Sequence, residues 1–399
     1  MLSAKYGFGK SKILSKKETL QKLPNLKSKN LHGGVLYYDG RFDDTRLLID
    51  LVKTAAEQTA TVLNYAPVSA LTKNSRNNID GVKFHDAESG EEFVAQAKIV
   101  INATGAFCDA VRRMSDADAA QIIAPSQGIH LVFDRKFLPS ENALMIPKTS
   151  DGRVLFAIPW HGKTLVGTTD TPLEKAELEP KAFAQEIEFI LQTARIYLEN
   201  APQRKDITSV FVGVRPLVKS AKTTATAALS RDHTIEFDSS NLLTVTGGKW
   251  TTYRRMAEDA INQAIEKAGL PVRICPTEDL KIHGGGENSE RFGDLAIYGT
   301  DAEKIQQLIR ENPEFAERLH EDLPYCAAEI VWAIRFEMAH TVEDVLARRT
   351  RALFLDARAA VRIAPRVAEI MAREMGKDNA WINAQVEKFN DTAKNYLLL

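Results

Sequence analysis

The sequence predicts an α/β part followed by a purely helical part, and three observations carry that prediction. The apolar run "KIVINATGA" reads as a buried strand ending on a small-residue turn, the place in an α/β sheet where a ligand meets backbone amides. From Gly128 to Asp170, short apolar stretches alternate with glycine and polar turns, which predicts an antiparallel meander. Past Cys275 the strand patterns stop and amphipathic helical segments take over. The 399 residues therefore divide into a mixed domain, 1–275, and a helical cap, 276–399, with the antiparallel sheet spanning about 125–245 inside the first. The glycines and polar residues of "PTEDLKIHGGGENSE" mark a linker near 276–288.

In chain order, the first thirty residues are basic and polar, and regular structure is expected only from "HGGVLYYDG" onward. Asp43 or Asp44 caps a helix whose Leu47, Leu48, Leu51, Val52 and Ala55 form one apolar stripe. Short strands follow at "ATVLNY", "VSALTKN" and "GVKFHDA", the last joined through Glu88-Ser89-Gly90 to "EFVAQAKIVINATGA". The meander is "IHLVFD", "ALMIPK", "RVLFAIPW" and "TLVGTTD"; a helix over 180–199 interrupts it, and "SVFVGVRPL" with the hairpin "HTIEFDSSNLLTVTG" completes it. Ala257, Ile261, Ala264 and Ile265 give the next helix an apolar face.

Lys plus Arg (52) balances Asp plus Glu (53), so no whole-chain field favours nucleic acid, and any anion site is local. Cys108, Cys275 and Cys326 lie far apart, which argues against a disulfide framework or a metal site and fits a reducing, cytoplasmic setting. No apolar run approaches the roughly 18 residues of a spanning helix.

The stretch "VTGGKWTTYRRMAEDAI" joins an apolar strand to a helix through Gly247, Gly248, Lys249, Thr251 and Thr252. Bare backbone, one cation and two hydroxyls at a helix mouth suit an anion or an electron-rich carbonyl. They also suit a plain strand-to-helix turn with Thr251 or Thr252 as cap. Arg215 in "GVRPL" and Arg231 in "RDHT" flank neighbouring sheet elements, either as a bidentate clamp for phosphate or carboxylate or as surface ion pairs. His130, on an apolar strand, reads as a general base with a pKa near neutral or as a core histidine. "AKYGFGKS" misses the phosphate-loop pattern, "HGGG" at His283 has no G-x-S-x-G partner, and the runs "RR" and "RRTR", ending at Arg351, read as solvated helix faces.

Taken together, "GGVLYYDGRFDDTRL", "VINATGAFCD", "LFAIPWHGKTLVGTTD", "GVRPL", "SRDHTI", "TGGKWTTYRRMAEDAI" and "EDVLARRTRALFLDARAA" resemble the FAD-dependent glycerol-3-phosphate dehydrogenases across the whole chain and in order. The resemblance implies a flavoprotein of the FAD/NAD(P)-binding type with a substrate sheet woven into it and a helical cap. It implies oxidation of sn-glycerol 3-phosphate to dihydroxyacetone phosphate, hydride passing to FAD and electrons onward to a membrane quinone, with peripheral membrane contact and a homodimer compatible with it. Carried over by position, Gly247, Gly248, Lys249, Thr251 and Thr252 match the flavin-contacting turn. Thr104 and Gly105 match the dinucleotide-side turn, and Val68 falls where a strand meets the adenine. Arg215 and Arg231 match substrate-holding arginines, His130 matches the histidine next to the reacting carbon, and Arg215 and Lys249 are counted with it as catalytic.

The family pattern opens with a strand, a G-x-G-x-x-G turn and a helix that receive the FAD pyrophosphate, and no such unit occurs in these 399 residues. The expectation is an incomplete flavoprotein fold that lacks roughly the first fifth of the pattern and exposes sheet edges and apolar surface. A catalytically silent fragment that binds phosphate ligands, and an amine or amino-acid oxidase of the same fold, stand as alternatives.

Overall fold

The computed structural model describes residues 8–149, 152–219 and 232–398. In chain order its elements are β1 (Lys12–Ser15), α1 (Lys16–Lys22), β2 (Gly33–Leu36), α2 (Asp44–Glu57), β3 (Val68–Lys73), β4 (Ile79–His85), β5 (Glu92–Gln96), β6 (Val100–Asn102) and α3 (Cys108–Ser115). There follow β7 (Ile123–Asp134), β8 (Leu144–Ile146), β9 (Leu155–Trp160), β10 (Lys163–Gly167), β11 (Thr171–Pro172), α4 (Ala184–Tyr197) and β12 (Ile207–Val218). The chain continues with β13 (His233–Phe237), β14 (Leu242–Gly247), α5 (Tyr253–Lys267), α6 (Ala302–Glu311), α7 (Ala327–Phe336), α8 (Ala352–Leu355), α9 (Ala357–Met375) and α10 (Asn379–Ala393).

The antiparallel sheet is present as expected. β7 is its centre: it pairs with β12 along one edge, while β10 and β11 share the other, and β9 and β8 extend the sheet beyond β10. One face carries Ile129, Leu131 and Phe133, each fully buried against Ile187, Ile190 and Leu191 of α4. The opposite face, on which Gly128 and His130 alternate with these, lines a cavity through His130.

A second sheet, β13-β14-β6, differs from the expectation. The hairpin β13–β14 does not complete the meander; β14 instead pairs in parallel with β6, Leu242 opposite Val100 and Thr244 opposite Asn102. The reason lies in burial: Leu242 to Thr246 is an uninterrupted buried run, which suits a central strand. β6 is shorter and less buried than predicted, with Ile101 36% exposed along the sheet edge.

Three further differences concern local chemistry. Residues 12–36 are ordered rather than irregular: Ser15 and Glu18 form a capping box that starts α1, Ser15 N donating to Glu18 Oε2 at 2.8 Å. "ATVLNY" forms no strand, because Tyr65 adopts φ +53° and sends its hydroxyl to Asp344 Oδ2 at 2.6 Å. In α2, Asp43 is the cap as predicted, accepting from Arg46 N at 2.8 Å, but the buried face is Arg46, Ile49 and Thr54 while Leu48 is 50% exposed.

That polar face of α2 docks on the helical cap. Arg46 bonds Glu337 through Nη2 to Oε2 at 3.1 Å and through Nη1 to Oε1, and it lies 4.5 Å over the Tyr298 ring. Lys53 pairs with Asp301 and lies 4.9 Å from the Trp332 ring centre. The cap's own core gathers Ile330, Val345, Leu346, Leu353, Val367, Met371 and Phe389, all fully buried, from α7 through α10. The "RRTR" run belongs to this interior: Arg349 and Arg351 side chains are each only 9% exposed, a correction to the solvated reading, because Asp344, Asp43 and Asp44 meet them there.

Candidate functional site

A cavity of about 840 Å³ opens on the free face of the antiparallel sheet. His130, Gly167 and Thr168 form its floor, Trp160 and His161 one wall, and Tyr37, Gly40 and Arg41 another. His130 on β7 faces Gly167 of β10 and Phe211 of β12 in register, and its ring stacks on Phe211 with 5.2 Å between centroids. A Cβ at Gly167 would stand 2.4 Å from His130 Cδ2, so only glycine lets the imidazole lie flat there.

Arg215 crosses from β12 over β7 to the same place. Its Nη2 donates to Thr168 Oγ1 and to the Thr169 carbonyl, both at 3.1 Å, and Nη1 meets Asp170 Oδ1 at 3.3 Å. The path runs above Gly128, where an added Cβ would be 2.4 Å from Nη2. Gly128 and His130 are two residues apart on one strand and therefore share a face, which sets guanidinium and imidazole side by side. Burial and the Arg215 charge push the His130 pKa down to about 4. This corrects the near-neutral expectation: the free protein holds a neutral imidazole throughout the physiological range.

The turn after β14 is as bare as its sequence suggests. Gly247 and Gly248 both have φ +73°, and a Cβ on Gly247 would press 2.8 Å against the Asp232 carbonyl and 3.1 Å against Val218 Cγ2. That contact places the turn at the end of β12, three residues, or about 10 Å, along the strand from Arg215. Thr252 does not cap α5. Its hydroxyl donates to the Lys249 carbonyl at 2.9 Å, closing a short turn, and the helix begins one residue later at Tyr253. Lys249 and Thr251 are exposed, and Trp250 approaches Phe42 with 6.3 Å between rings, joining this turn to the Tyr37–Arg41 wall.

Thr104 and Gly105 leave β6 at the same edge as Gly247 leaves β14, because the two strands are parallel. Asn102 shapes their turn: it accepts from Thr104 Oγ1 at 2.7 Å and donates to the Cys108 carbonyl at 2.9 Å. Gly105 has φ +59° with open space where a Cβ would be. Val68 opens β3 in the neighbouring three-stranded sheet, 38% exposed. Arg231 lies outside the described residues.

Sequence reasoning missed Gly128 and Gly167 as site residues, although isolated glycines inside strand patterns already signal close approach. It also missed Arg41, Arg135 and His161 in the cavity lining. Nothing in their local patterns separates them from surface residues.

Family models match the chain in two consecutive stretches: FAD dependent oxidoreductase over residues 2–254, and the C-terminal domain of alpha-glycerophosphate oxidase over 247–381. The chain belongs to the FAD-dependent oxidoreductase family. Within that family it is 37% identical over 423 residues to the mitochondrial glycerol-3-phosphate dehydrogenase of Arabidopsis thaliana, covering 97% of this chain and 66% of that protein. It is 37% identical over 414 residues to the human mitochondrial glycerol-3-phosphate dehydrogenase, covering 97% and 56%. The chain thus spans between about half and two thirds of these relatives. Among solved structures, the glycerol-3-phosphate dehydrogenase from Bacillus halodurans complexed with FAD superposes with a TM-score of 0.83 at 28% identity, covering 96% of this chain and 79% of that one. The predicted fold class, a flavoprotein oxidoreductase with an antiparallel sheet and a helical C-terminal region, is the observed one.

Proposed function

We propose that this member of the FAD-dependent oxidoreductase family oxidises sn-glycerol 3-phosphate at C2 to dihydroxyacetone phosphate. The observation that carries the reading is the pairing of the Arg215 guanidinium, bonded to Thr168 in the cavity floor, with the neutral imidazole of His130 on that floor. A phosphate ester of a secondary alcohol needs that pair: a cation for the dianion and a proton acceptor for the hydroxyl.

The residues fit a flavin at the ring end. Gly247 and Gly248 present backbone without side chains, and only glycine is accommodated at Gly247. Gly247, Gly248, Lys249, Thr251 and Thr252 would hold the ring end, and Thr104 with Gly105, at the same sheet edge, the dinucleotide side. When bound, FAD supplies the acceptor for the hydride released from C2.

Arg215 holds the phosphate, with Thr168 and Asp170 fixing the guanidinium plane beforehand. A ring nitrogen of His130 takes the C2 hydroxyl proton. Its low basicity in the free protein comes partly from Arg215, and a bound dianion offsets that charge, so the base strengthens when substrate is in place. Arg231, Lys249 and a quinone acceptor enter on the family resemblance, as do peripheral membrane contact and a homodimer. Among the described residues no helix is long and apolar enough to cross a membrane.

A second reading has the chain bind the phosphate ester without turnover. The visible spectrum of purified protein supplied with FAD separates the two. Flavin bands that bleach anaerobically with glycerol 3-phosphate, and not with amino acids, support oxidation. A protein that binds glycerol 3-phosphate but retains no flavin supports the second reading, and bleaching by amino acids alone overturns both.

A further inference from the structure

The arginine run in the helical cap connects to the cavity wall through Asp43 and His161. Arg351 stands just before α8, its backbone N–H donating to Tyr325 Oη at 2.9 Å. Its side chain leaves the cap and clamps Asp43, Nη2 to Oδ1 at 3.0 Å and Nε to Oδ2 at 3.2 Å, and it also bonds Asp44. Asp43 Oδ2 lies 3.3 Å from His161 Nε2, and His161 lines the cavity. Arg351, His161 and a backbone donation from Arg46 hold the Asp43 carboxyl well below the usual carboxylate range against its burial. An ionised carboxylate only accepts, so a hydrogen bond between the two puts the proton on His161 Nε2.

His161 is also an unusual residue for its place. It and Gly162 form the two-residue turn between β9 and β10 with φ +44° and +76°, a conformation that favours Asn, Asp or Gly at the first position. A histidine kept there costs stability unless its side chain gains something.

We propose that Arg351 is a positioning residue through which the cap sets substrate affinity: it fixes Asp43, and Asp43 orients His161 as a substrate contact in the cavity wall. The inference rests on the cavity being the glycerol 3-phosphate site. Arg351 touches no substrate itself. Its guanidinium is suited to the task because the planar fork engages both oxygens of Asp43, which a lysine cannot do.

The test is a double-mutant cycle read by calorimetric titration with sn-glycerol 3-phosphate, using Arg351→Gln, His161→Asn and the double variant. Each single change is expected to weaken binding about tenfold, with the double variant no weaker than either. Arg351→Lys should recover part of the loss. Imidazole ¹⁵N spectra should show the Nε2-protonated tautomer in the wild type and a mixture in Arg351→Gln. His161→Asn sits on a turn that tolerates asparagine, so it remains informative if Arg351→Gln does not fold. Wild-type protein that fails to bind glycerol 3-phosphate overturns the site assignment and this proposal with it. Wild-type binding that His161→Asn leaves unchanged, or additive losses in the double variant, overturns this proposal alone.

Discussion

At the scale of single residues, two glycines decide where the polar groups of the site stand. Gly128 makes room for the Arg215 guanidinium and Gly167 for the His130 ring, each where a Cβ would come within 2.4 Å. Gly128→Ala is therefore predicted to displace Arg215 and weaken glycerol 3-phosphate binding by about 2 kcal/mol, roughly 30-fold, the scale of one charge-assisted hydrogen bond. Titration of the variant checks it, with Gly213→Ala as control, because a Cβ at Gly213 would meet nothing within 4 Å. The legible part of the site was its ends: His130, Arg215 and the Gly247–Gly248 turn were each visible as a residue out of keeping with its strand. Their mutual geometry was not, since a cross-strand register is set by pairings more than 80 residues apart in sequence, such as His130 with Phe211.

At the scale of elements, α2 shows why periodicity alone misleads. Its leucines suggested an apolar stripe turned inward, yet the cap selects the face of Arg46 and Lys53, because Glu337 and Asp301 are buried and need partners. Arg46→Ala is expected to cost about 3–5 kcal/mol by leaving Glu337 buried without its counter-charge. Replacing both Arg46 and Glu337 with apolar residues of similar volume should cost far less. Urea unfolding of the three proteins measures the difference; equal losses would show that the pair's charges are not the cause. The hairpin β13–β14 was legible as a hairpin and misplaced as to sheet, because nothing local records that Thr244 will find Asn102.

At the scale of the whole molecule, strand and helix content, the antiparallel meander and the helical cap were readable from turn residues and period. The cap's attachment was not, because it joins segments distant in sequence, by ion pairs such as Arg46 with Glu337 and by packing such as Phe354 on Phe211. Apolar residues stand exposed, among them Ile13 at 89%, Val35 at 69%, Leu63 at 60% and Leu48 at 50%. Stability should respond to pH through two buried groups with opposite signs. Burial lifts Glu329 from 4.5 to about 7, so its contribution is complete below pH 4.5 and is lost as pH rises through 7. His130, lowered from 6.5 to about 4, contributes fully above pH 6.5 and loses that contribution as pH falls through 4. Glu329→Gln should thus raise the melting temperature relative to wild type at pH 8 and leave it nearly unchanged at pH 4.5. His130→Gln should flatten the fall between pH 6.5 and 4. Melting curves across that range test both signs.

The central claim is that Arg215 and His130 receive one phosphate ester between them. A crystal structure of the protein with sn-glycerol 3-phosphate tests it most directly. The predicted result has the phosphate on the Arg215 guanidinium and the C2 hydroxyl about 3 Å from a His130 ring nitrogen. Ligand density elsewhere, with the floor between Arg215 and His130 left to solvent, would contradict it.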